Sequence, residues 1–252
     1  MKLITILLAA SLLCAANSIV AAPQVLVQHN QQYHGYMQLP RLAEVVVAAN
    51  QQRGLYWPAA RLFNRSADKL TELELERQQL LQRLIALQQH YNQHNEPELA
   101  AATAQLQQQI SQWQLAGQLL LPLDPDRVRA KPELNPMLVA GHYLLQVGVR
   151  PTRLTVTGLA RDKSLPLLNA TDAADYGRLL TRLAGASSSF LYILPAARAE
   201  ILANTGIWNH QPQQVAPGAV LFVPFEQRLL PTAFNDINGQ IVALLQHRVG
   251  AE

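Results

Sequence analysis

The sequence predicts an α+β protein in which two small units each open with two strands and a helix. Three observations carry this. Short β-type runs precede a helical stretch near the amino terminus (25–27, 33–39, then 40–53), and the same order returns at 153–159, 165–168 and 172–184. Between them lie two helical stretches, 66–91 and 98–116, joined by a polar turn. The chain then closes on an amphipathic helix at about 235–249. Strand, strand, helix is how a small β-grasp domain begins. The pattern therefore predicts two β-grasp domains, an inserted antiparallel helical hairpin and a C-terminal amphipathic helix.

The elements follow in order. Met1-Lys2, an apolar run from Leu3 to Leu13 and small residues ending Val20-Ala21-Ala22 have the three-part layout of a secretory signal peptide, assigned to residues 1–22. The run falls short of the roughly 20 apolar residues that a bilayer requires. Cleavage after Ala21 or Ala22 is expected, with Ala16 a weaker site. Cys14 follows Leu12-Leu13 rather than the small residues of a lipoprotein signal, so it is expected to leave with the leader; the mature chain then has no cysteine. The first strands, with a polar break at 29–32, form a hairpin. Leu42, Val45, Val46 and Ala49 share one face of the helix that Pro40 opens.

Residues 55–62 form a dense aromatic segment. Its expected role is packing; stacking of Tyr56 or Trp57 on a sugar ring is the functional alternative. In the long helix that Ser66 can cap, Leu70, Leu73, Leu80, Leu84, Leu87 and Tyr91 keep 3-4 spacing, interrupted by Arg77. In the next helix Leu99, Leu106, Ile110 and Trp113 align, and Gly117 reads as its stop. Four prolines between 119 and 136 predict no regular element there. A strand at 143–149, turned by Arg150-Pro151 into 153–159, opens the second domain. A helix capped by Asp172 follows, with Tyr176, Leu179, Leu180 and Leu183 inward, then strands at 190–194 and 220–223 and an edge element at 206–209. Ile237, Ile241, Leu244, Leu245 and Val249 stripe the tail helix.

Composition excludes several classes of function. The 252 residues are 49% hydrophobic and 15% charged, with a net charge of +3 that includes Lys2 of the leader, and no Lys/Arg cluster stands out, so a nucleic-acid partner is not expected. After the leader no segment is apolar enough to span a membrane. Ser187-Ser188-Ser189 follows Gly185 but lacks the glycine of a nucleophile elbow. His90 and His94 lie four apart, where the helix gives way to a polar turn; His29 and His34 lack a carboxylate partner. No metal, cofactor or catalytic residue is assigned. Asp124 and Asp126 are close, yet among prolines and beside Arg127 and Arg129 they read as turn formers and ion-pair partners. This stretch, 124–129, is the most unusual polar cluster: an arginine there can bind a carboxylate or a hydroxyl-rich ligand, or clasp two domains together.

Four stretches together resemble the capsule biosynthesis family GfcC, found in operons for group 4 capsule. They are 55–60 (LYWPAA), 123–129 (LDPDRVR), 149–158 (VRPTRLTVTG) and 230–242 (LPTAFNDINGQIV). The resemblance implies two β-grasp domains, a helical insertion and an amphipathic tail helix, a layout similar to part of the outer-membrane polysaccharide exporter Wza. It implies a periplasmic role in capsule or exopolysaccharide assembly or export without established catalysis. It points to Arg129 as the family's arginine, with Arg127 the other candidate. The domains are then 23–64 (first part of domain 1), 65–117 (hairpin), 118–140 (Pro-rich completion of domain 1), 141–230 (domain 2) and 231–252 (tail helix).

The expected ligand-binding residues are Arg129, Arg127, Asp124, Asp126, Trp57 and Tyr56, and the expected partner-binding residues are Ile237, Ile241, Leu244 and Leu245. The expected partners are polysaccharide, outer-membrane export proteins, or both. A polysaccharide-modifying enzyme and an envelope scaffold that never touches sugar are the alternatives. Gly239 weakens an isolated tail helix by about 1 kcal/mol relative to Ala, so that helix is expected to dock on its own second domain or on a partner rather than insert.

Overall fold

The computed structural model describes residues 22–51 and 53–250; the expected leader as far as Ala21, with Cys14, lies outside them. Within these residues the chain is α+β, with two five-stranded mixed sheets and six α-helices.

In the first sheet β1 (Val25–His29) turns into β2 (Gln32–Tyr36) through Asn30 and Gln31, both at positive φ, the geometry of a two-residue hairpin loop matched to strand twist. Helix α1 (Leu42–Ala49) buries Leu42, Val45, Val46 and Ala49, the face its spacing predicts. A 3-10 turn (Trp57–Ala59) leads into β3 (Arg61–Asn64), a strand hidden in the sequence by its four residues and its arginine. Two long helices come next, α2 (Ala67–Gln93) and α3 (Pro97–Ser111), packed along each other.

The chain returns to the sheet as β4 (Gly117–Leu119), so Gly117 belongs to a strand and α3 stops earlier than its apolar pattern suggests. The Pro-rich segment is a correction. It holds α4 (Pro125–Ala130) and a 3-10 turn (Pro132–Leu134), because Pro125 stands at the first helical position, where its missing N–H costs nothing.

β5 (Gly141–Gln146) is the second correction. Its sequence pattern assigns it to the second domain, paired with 153–159; it lies instead between β1, parallel, and β3, antiparallel, completing the first sheet in the order β2-β1-β5-β3-β4. Leu144 and Leu145 are both buried, and only a central strand covers both faces.

The second sheet repeats that order. Strands β6 (Arg153–Gly158), β7 (Ser164–Pro166), β8 (Phe190–Leu194), β9 (Ile201–Asn204) and β10 (Val220–Val223) stand as β7-β6-β10-β8-β9, with β6 and β10 parallel and the other pairs antiparallel. Helix α5 (Ala173–Leu179) follows the hairpin, as α1 does in the first unit. It ends early, at Leu179, which is exposed rather than inward. The edge element is β9; Ile207 and Trp208 beyond it are exposed.

Helix α6 (Ile237–Gln246) closes the chain. Although α2 and α3 depart from the first sheet, Leu73, Leu80, Leu84, Leu106 and Ile110 share one core with the second sheet and α6, while α1 and the inner face of the first sheet enclose another.

Candidate functional site

The two units meet where β3 and β4 face the loops after β8 and before β10. Arg61, 9% exposed, spans the joint. Its Nη1 donates to Gln118 Oε1 at 3.1 Å, and its Nη2 to the Gly218 carbonyl at 3.1 Å and the Leu194 carbonyl at 3.4 Å. Gln118 Nε2 donates onward to the Ala196 carbonyl. Burial pulls the Arg61 pKa down to about 10, so it stays charged at neutral pH, held by dipoles rather than by a carboxylate. At the same joint Gly218, at φ +83°, brings its backbone so near the first unit that a Cβ would lie 2.4 Å from Ala59 Cβ. The aromatic segment 55–60 is thus the seat of the second unit.

Beside this joint opens a cleft of about 330 Å3. Trp57, Pro58 and Leu123 line it from the first unit, and Ile193, Ile201 and Pro217 from the second. Its polar groups are Asp124, Arg127, Arg198, Gln213 and Gln214. Asp124 is the N-cap of α4 and accepts from the Arg127 backbone N–H at 2.9 Å. Gln213 N donates to Asp172 Oδ2 at 2.9 Å, tying that wall to the start of α5.

The structure brings three of the expected ligand-binding residues, Trp57, Asp124 and Arg127, to this cleft. Asp126 and Arg129 are exposed on α4 outside its lining, so of the two arginines it is Arg127 that faces the second unit. The clasp is not formed by this cluster either: among the described residues neither arginine has an ion-pair partner, and Arg61 does the clasping. Trp57 is 9% exposed and donates Nε1–H to Asn50 Oδ1 at 2.9 Å, which makes it a fixed wall rather than a stacking platform. Tyr56 is half-buried, with the Arg150 guanidinium 5.7 Å from its ring centroid.

The partner-binding expectation is corrected. Ile237, Ile241, Leu244 and Leu245 are at most 2% exposed, filling the core that α2 and the second sheet share. Asn238 pins the helix there: its side chain accepts from Phe225 N–H and donates to the Phe225 carbonyl, both at 2.9 Å. Arg83 of α2 bonds both oxygens of Asp236, at 2.7 and 2.8 Å.

Sequence reasoning missed Arg61, Arg198 and Gln109 of α3. Gln109 receives Thr157 Oγ1–H and Gly158 N–H on Oε1 and donates to the Gly158 carbonyl, clamping α3 to the end of β6. For Arg61 the only sequence signal is a lone charge between Ala60 and Leu62.

Chemically, the cleft suits contact. Asp124 is its one carboxylate, already engaged as a cap, whereas glycoside cleavage uses a facing pair. Ser187 Oγ donates to Glu226 Oε2 at 3.2 Å. The His90 and His94 rings stack with centroids 4.0 Å apart. Among the described residues no three His, Cys, Asp or Glu are grouped to hold a metal, and no helix is long and apolar enough to cross a membrane.

Comparison with known proteins agrees with this layout. Residues 20–150 match the model of the family described as capsule biosynthesis GfcC, N-terminal, and residues 161–250 match capsule biosynthesis GfcC C-terminal. The first match ends after β5, where the first sheet is complete, and the unmatched stretch 151–160 holds β6, the first strand of the second sheet. The chain is also 30% identical over 196 residues to YjbG of Escherichia coli (strain K12), described as uncharacterized, covering 77% of each protein. With the two matches covering most of the chain and nine of the ten strands among the described residues, the chain belongs to the capsule biosynthesis GfcC family.

Proposed function

We propose that this protein is a periplasmic, non-catalytic factor in capsule or exopolysaccharide assembly or export, which holds a short stretch of sugar, or an export protein presenting it, in the cleft between its two units. The observation that carries this reading is the cleft's chemistry: two arginines from opposite units, two glutamines, apolar walls and a single carboxylate occupied as a helix cap. Arginine forks suit sugar hydroxyls and carboxylates, and flat apolar walls suit the faces of pyranose rings. Each unit is read as a β-grasp domain, since both sheets share one strand order and each has its helix after the first hairpin. The helices α2 and α3 are read as a hairpin inserted into the first. Export rests on the leader-like residues 1–22.

The test is a clean deletion strain complemented with the native gene or with an Arg127→Ala/Arg198→Ala double variant. The expected outcome is loss of surface polysaccharide on deletion, restored by the native gene and not by the variant. A normal polysaccharide layer in the deletion strain overturns the reading. Incubation of the purified protein with the polymer is expected to leave its length and acetylation unchanged; a shorter or deacetylated product would replace this reading with an enzymatic one.

A further inference from the structure

We propose that a second site, a long polar groove built by α2, α3, β6 and residues 248–250, binds an extended acidic polysaccharide. It rests on the reading that the protein handles capsular sugar, but it shares no residue with the cleft. The groove consists of two basins of about 780 and 830 Å3 that abut at Gln112, Trp113 and Arg248. Each alone approaches the top of the about 300–1,000 Å3 range of small-molecule pockets, and together they exceed it, which fits a polymer strand better than a single sugar.

Charge selects the kind of polymer. The basins carry five basic side chains, Arg65, Arg77, Arg161, Lys163 and Arg248, against two carboxylates, Glu74 and Asp162. The excess of three equals the +3 of the whole chain. Glu74 is already paired with Arg77, and Asp162 Oδ2 accepts from the Thr181 backbone N–H at 2.7 Å. No carboxylate stands within ion-pair distance of Arg161, Lys163 or Arg248 among the described residues. Arg248 lies with its guanidinium 5.9 Å from the Trp113 ring centroid, held at the point where the basins join. Along one wall Gln105, Gln108 and Gln112 recur at 3-4 spacing, each exposed, while Gln109 on the same side is spent on the clamp to β6. A primary amide donates and accepts at once, as a sugar hydroxyl does. Cations for carboxylates and amides for hydroxyls are the needs of a uronic-acid chain, and the open surface of both basins is more polar than apolar, with Trp113 buried beneath Arg248.

The experiment uses the purified full chain in affinity electrophoresis through polygalacturonate, dextran or single-stranded DNA. Retention by polygalacturonate, weaker with added salt, and none by dextran is expected. An Arg161→Gln/Lys163→Gln double variant, both residues being exposed, should weaken retention about tenfold for each of the two cations removed, with an unchanged melting temperature. The loss caused by Arg161→Gln/Lys163→Gln should be as large in a protein that already carries Arg127→Ala/Arg198→Ala, so that failure at the cleft and failure at the groove are read separately. Unchanged retention in the Gln variant, equal retention by dextran, or equal retention by DNA overturns the proposal.

Discussion

Gly158, Asn238 and His247 show how single residues hold the joints between elements. Gly158, at φ +92°, comes so close to β10 that a Cβ would lie 2.3 Å from the Val223 carbonyl oxygen. The Thr-Gly pair closing the third family-like stretch is there because only glycine fits while Gln109 binds the same backbone. Asn238 satisfies both backbone groups of Phe225 in a buried setting. Asn238→Ala orphans both, and the expected loss is on the order of 3 kcal/mol, read as a lowered midpoint in urea. His247 links stability to pH. Its Nδ1 accepts the Gln118 backbone N–H at 3.0 Å, which only the neutral ring can do. Burial, then the charge of Lys69, push its pKa below the ordinary 6.5. The unfolded chain therefore takes up a proton, from about pH 6.5 downward, that the native state resists. Stability present above that pH is expected to fall as the medium acidifies through the lowered native value. His247→Gln should flatten this part of the profile in denaturation curves between about pH 7.5 and 5; an unchanged slope assigns it to other groups.

At the scale of elements, capping and burial decide more than propensity. α4 forms among prolines because Asp124 caps it and Pro125 needs no partner there, while Val128 is buried beneath it. α6 carries Gly239 in its first turn, yet it stands because Ile237, Ile241, Leu244 and Leu245 are all taken into the core. A Cβ at Gly239 meets nothing within 4 Å, so Gly239→Ala is expected to stabilise the protein by about 1 kcal/mol, seen as a rise in melting temperature. No gain would mean that backbone freedom at this position does not limit the helix. Helices are legible in the sequence because 3-4 spacing is a local signal: the inward faces of α1 and α2 can be read directly. Strands are not. β3 and β4 have four and three residues, too few for a period, and their partners are distant in sequence.

At the scale of the molecule, all four family-like stretches lie at junctions. Residues 55–60 seat the second unit, Asp124 and Arg127 line the cleft, 157–158 receive Gln109, and Asp236 and Asn238 anchor the tail helix. Arg61 is the central tie, and Arg61→Ala leaves Gln118 Oε1 and two carbonyls without their donor. The expected result is faster limited proteolysis in the exposed connection at 148–150, releasing two fragments, alongside a destabilisation on the order of 3 kcal/mol. A cleavage rate equal to that of the native protein would show that the apolar contacts alone hold the units together.

The α+β class, the buried faces of α1, α2 and α6, and the polar stretch that supplies Asp124 and Arg127 could all be read from the unfolded chain, because periodicity and charge are properties of neighbours along it. It took the folded molecule to place β5 in the first sheet, to make Trp57 a wall, to cover the tail helix and to turn Arg127 rather than Arg129 toward the second unit. Those outcomes depend on pairings between residues far apart in the chain, where burial is shared between distant partners and no local pattern records it.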